Sequence, residues 1–142
     1  MDYTPGGFLN VTREAFVPRN RQPMVMGTRT RQLALFVVFE SHLQMVSDYP
    51  ERYRGEKDFA FLREVPASWD ETRVLSGHPM QFIAVARRSG EEWFLGCLTN
   101  WDSRDLELPL DFLRDGRSVA EIYADAPDAG ERPTHTVIQS HG

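Results

Sequence analysis

The stretch that most constrains this chain is Met80 to Asn100, MQFIAVARRSGEEWFLGCLTN. Two apolar runs flank Arg88-Ser89-Gly90-Glu91, where glycine can take a positive φ without a Cβ clash. Phe82, Ala84 and Ala86 alternate with Ile83 and Val85. On the return run Trp93, Leu95 and Cys97 alternate with Phe94, Gly96 and Leu98. Strands apolar on both faces are expected to be covered on both. The stretch therefore reads as a central β-hairpin, with Trp93 in the core and Cys97 a buried thiol.

At 142 residues and 41% hydrophobic, the chain can build a core and is long enough for one ordinary domain, or for one small domain plus a fragment of another. A net charge of −5 argues against nucleic acid as partner, because a phosphate-binding surface needs a basic excess. The single cysteine forms no intrachain disulfide and leaves the compartment open. The start, MDYTPGGF, has neither the basic nor the apolar region of a signal peptide. The longest apolar run, Leu33 to Phe39, is too short to span a bilayer.

Met1 to Thr4 reads as extended, followed by a turn at Pro5-Gly6-Gly7, and residues 9–27 read as a loop. A helix is expected over Thr28–Ser47, with Thr28 or Thr30 as N-cap and Pro50 as stop, against a competing strand over Ala34–Phe39. Its run Leu33–Phe39 is apolar all round and needs cover on nearly every side. Glu51–Lys57 reads as loop and Asp58–Val65 as a short helix. Beyond Pro66 the pattern is strands between turns: Asp70–Leu75, the hairpin, Asp105–Leu110, Ser118–Ala124 and Thr134–Gln139. That spacing predicts an antiparallel β-sandwich, so the fold class is mainly β with a preceding α-helical segment.

Catalytic signals are sparse. The pairs Asp70–Glu71, Glu91–Glu92 and Asp102–Asp105 are better explained by strand edges and solvated turns than by a cleft with two opposed carboxyls. The histidines 42, 78, 135 and 141 have no metal-ligand spacing, and no serine elbow or phosphate-cradling glycine loop occurs. No residue is assigned as catalytic or metal-binding. Trp101, beside Asn100 and Asp102 after the hairpin, is the one tryptophan placed for sugar stacking. Sugar binding is expected to be weak, because a platform normally combines aromatic faces with several convergent polar groups.

Four stretches taken together resemble a known family: MDYTPGGF (1–8), RQLALFVVFESHLQMVSDYPERY (31–53), FLREVPASWDETRVLSG (61–77), and the frame from Ala86 to Arg104 that ends in L-T-N-W-x-x-R. The chain resembles the C-terminal portion of glycoside hydrolase family 97, whose members are α-glucosidases and α-galactosidases. The resemblance implies that residues 1–54 are the end of a (β/α)8 catalytic barrel (last strand, loop and closing helix) and residues 55–142 a C-terminal oligomerisation β-sandwich. It implies a parent enzyme that hydrolyses terminal α-linked glucose or galactose, contains calcium, and is periplasmic or secreted. The family's catalytic and calcium-binding glutamates have no counterpart in this chain, which itself holds no cofactor. Asp2, Tyr3 and Thr4 are the residues expected at the edge of the substrate pocket. His42 stands where the family commonly has proline.

On this resemblance Met1 is expected to be an internal methionine of a longer frame, and the chain to stop before the last sandwich strand. Its partners would be the upstream barrel, a second copy and, for the parent, an α-linked oligosaccharide. A stand-alone β-sandwich module for carbohydrate or protein contact is the alternative, as is a structural domain that pairs subunits. Without the barrel, the run Leu33–Phe39 is expected to stay partly wet and drive self-association, and a chain starting near Arg54 to behave better.

Overall fold

A computed structural model describes residues 3–130, 133–134 and 136–141. The elements run β1 (Asn10–Val11), β2 (Val25–Met26), α1 (Arg29–Val38), α2 (Pro50–Tyr53), α3 (Phe59–Glu64), β3 (Glu71–His78), β4 (Phe82–Ser89), β5 (Glu92–Thr99), β6 (Ala120–Asp125) and β7 (Thr136–His141). The chain is mainly β. Strands β3, β4 and β5 form an antiparallel sheet in that order, and β6 pairs antiparallel with β7.

The hairpin forms as its pattern requires. Ser89 pairs with Glu92 across a two-residue turn, and Gly90 sits at φ +60°. The register sets Val85 opposite Gly96 and Arg87 opposite Phe94 on one face, with Ala86 opposite Leu95 and Arg88 opposite Trp93 on the other. Helix α1 lies on the first of these faces. Gly96 permits that contact: a Cβ there would lie 2.8 Å from Val37 Cβ. The opposite face is more open than the sequence suggests. Leu95 and Cys97 are exposed and Trp93 is half-buried, so Trp93 as core and Cys97 as a buried thiol are both corrected. Alternating apolar residues make both faces of β5 suitable for burial but do not supply a layer to cover them.

Helix α1 is shorter than expected. Thr28 caps it, its Oγ1 accepting from the Arg31 N–H at 3.2 Å. The helix ends at Val38, and Phe39 is already extended. Side chains from elsewhere satisfy the last carbonyls: Tyr3 OH donates to Phe39 O at 2.7 Å, Gln44 Nε2 to Phe36 O at 3.3 Å, and Arg87 Nη2 to Val38 O at 3.3 Å. These partners let the helix stop without a further turn, and residues 39–49 run on as an irregular segment. Pro50 then opens α2 as its first residue instead of closing a long helix.

Other expectations shift as well. Within the loop 9–27, Asn10–Val11 and Val25–Met26 pair in parallel. Residues 105–110 form no ladder; Leu106 and Leu110 are exposed, and Pro109 has no N–H to donate.

The core lies on both sides of α1. Leu33 packs with Phe8 and Tyr53, joined by Phe59, Phe61, Leu62 and Tyr123. Phe36 rests against Gly6, where a Cβ would lie 3.2 Å from its ring, while Val37 and Val38 meet the sheet at Gly96. Every residue from Leu33 to Phe39 is buried or half-buried. The expected wet stripe is therefore absent from this helix, because residues 5–8 cover one side and β4–β5 the other. The ring of Phe61 bridges the two ladders, 6.4 Å from Phe94 and 5.2 Å from Tyr123 between centroids.

Candidate functional site

The buried polar groups serve mainly to join segments. Arg29, at the start of α1, is 5% exposed and reaches in four directions. Its Nε donates to Asn10 Oδ1 (3.3 Å), Nη1 to Glu56 Oε2 (2.5 Å) and Asp58 Oδ2 (3.4 Å), and Nη2 to Phe8 O (3.0 Å). Its guanidinium lies 4.2 Å from the Phe8 ring centroid. Arg87 ties β4 to the end of α1, donating to Val38 O and to Thr72 Oγ1 with Glu40 3.4 Å away. Sequence reasoning missed both hubs: Arg29 lies outside the four stretches, and Arg87, though inside the frame from Ala86 to Arg104, has no neighbour in sequence that marks its partners Val38 and Glu40. Both link residues 1–54 to residues 55–142.

The residues expected at a pocket edge fall as follows. Tyr3 is half-buried, its ring edge-on to Phe39 and its hydroxyl held by helix carbonyls, and burial raises its pKa despite the opposing field of Arg87. Thr4 is exposed. Asp2 lies outside the described residues.

Among the paired carboxylates, Asp70, Glu71 and Glu91 are engaged by local partners. Asp70 accepts the Gly90 N–H at 2.7 Å, and Glu71 accepts from Arg73 Nε at 2.7 Å and Arg88 Nε at 3.3 Å. The Arg73 hydrogen bond holds the Glu71 carboxyl below its ordinary range, so it is a poor proton donor. Glu91, at the hairpin tip, pairs with Arg114. Glu71 and Glu91, with Arg73 stacked near Trp93 and Phe112, line a shallow surface cleft of ≈ 480 Å³. Among the described residues no group of three or more His, Cys, Asp or Glu can hold a metal ion. The described residues therefore offer no such cluster for the calcium ion that the resemblance implies for the parent. No helix among the described residues is long and apolar enough to cross a membrane.

A second cleft, of ≈ 380 Å³, lies between the β1 region and the turn after β5. Trp101, 65% exposed, forms one wall, with the Arg13 guanidinium 5.5 Å from its ring centroid. Thr12 and Glu14 also line it. The T-N-W-x-x-R string marked Trp101 in the sequence, whereas nothing there placed residues 12–14 beside it.

Residues 68–141 match the family described as Glycosyl-hydrolase 97 C-terminal, oligomerisation. The chain belongs to this family. A retaining alpha-galactosidase of Bacteroides thetaiotaomicron is 42% identical over 130 residues, which is 91% of this chain and 20% of that protein. A probable retaining alpha-galactosidase of Streptomyces bingchenggensis is 33% identical over 138 residues, 96% of this chain and 20% of that protein. A glycoside hydrolase family 97 enzyme from Pseudoalteromonas sp. strain K8, solved in complex with acarbose, superposes with a TM-score of 0.73 at 34% identity. That match covers 81% of this chain and 19% of the solved one. The glycoside hydrolase 97 C-terminal chain thus spans about a fifth of the length of the curated relatives it matches. The matches extend well before residue 68, consistent with the packing of α1 onto the sheet.

Proposed function

We propose that this chain is the C-terminal, accessory and oligomerising part of a retaining α-glycosidase acting on terminal α-linked galactose or glucose. The observation that carries this reading is the extent of the likeness: nearly all of the chain matches about a fifth of each relative, in a family described by oligomerisation. On this reading the catalytic carboxylates, and any calcium, belong to a part of the protein that this chain does not span. Residues 1–54 would be the last strand, loop and closing helix of a (β/α)8 barrel. Residues 55–142 would be the C-terminal β-sandwich, with the substrate-pocket edge at Asp2, Tyr3 and Thr4. The engagement of Tyr3 with the α1 carbonyls supports a role in anchoring that edge. Galactosidase is favoured over glucosidase because both of these relatives are described as retaining alpha-galactosidases, one of them as probable.

Sedimentation velocity of the purified chain tests the oligomerisation. A reversible, concentration-dependent dimer or higher oligomer that keeps a cooperative melt is expected. A monomer at every concentration examined would count against it.

A further inference from the structure

We draw no further inference here: the strongest candidate, the open sheet face opposite α1 at Leu95 and Cys97, carries nothing because the chain spans about a fifth of its relatives and nothing in the structure shows whether a second copy or the rest of such a protein covers that face.

Discussion

The close contact between α1 and the sheet makes Gly96 a sensitive position. Its φ is not in the left-handed region, so the backbone there accepts alanine, and strand propensity alone would favour the change. Space does not permit it. The added methyl would lie 2.8 Å from Val37 Cβ, 3.0 Å from Val37 Cγ1 and 3.1 Å from Val38 Cγ2. Optimal carbon–carbon separation is about 3.5–4.0 Å, so the helix must lift by roughly half an ångström or more. That motion pulls on Leu33, Phe36 and the Arg87–Val38 hydrogen bond together. Overpacking of this kind costs about 1–3 kcal/mol, which for a chain of this size lowers Tm by roughly 3–12 °C. Gly96→Ala should show this in thermal and urea unfolding followed by circular dichroism. Gly96→Ala combined with Val37→Ala should recover part of the loss, because the two methyl groups compete for one space. A Gly96→Ala chain as stable as the parent, or a double variant whose effects simply add, would refute the packing argument.

Other predictions rest on the same scaffold. Tyr3, Tyr53 and Tyr123 all have pKa values raised by burial above the ordinary 10.0, so their neutral forms are favoured in the folded state. Stability from them is full below pH 10.0 and should fall as pH rises from there through the folded-state values, whereas Tyr53→Phe should flatten that alkaline loss; urea titrations across the alkaline range will measure it. Removal of residues 1–54 should bare Val85 and Gly96 on the sheet face covered by α1, and strip Glu56 and Asp58 of Arg29. The shortened chain should scatter light and bind hydrophobic dye more than the 142-residue chain does; equal or better behaviour would show that the two parts are independent.

That last expectation reverses the one drawn from sequence, and the reason is instructive. The hairpin was legible because period-two alternation and Gly90 are local signals, and the Thr28 cap for the same reason. The length of α1 was not legible: Leu43, Met45 and Val46 continue an apolar pattern, whereas its end is fixed by Tyr3 and Arg87 from distant segments. The cover over Leu33–Phe39 was hidden likewise, being made by Phe8, Tyr53 and Gly96. Trp101 could be marked from its polar neighbours in T-N-W-x-x-R, but its partners at Thr12–Glu14 arrive through the fold. The resemblance itself was carried by ordered strings of residues, which is why the family was readable where individual contacts were not.

The most direct test of the central claim is hydrolysis of an aryl α-galactoside by the purified chain, with and without added calcium. The account predicts no turnover above buffer, because the chain spans about a fifth of its relatives, Arg73 holds the Glu71 carboxyl below its ordinary range, and Asp70 and Glu91 are engaged by Gly90 and Arg114. Turnover that copurifies with the chain and is abolished by one point substitution within it would contradict the account.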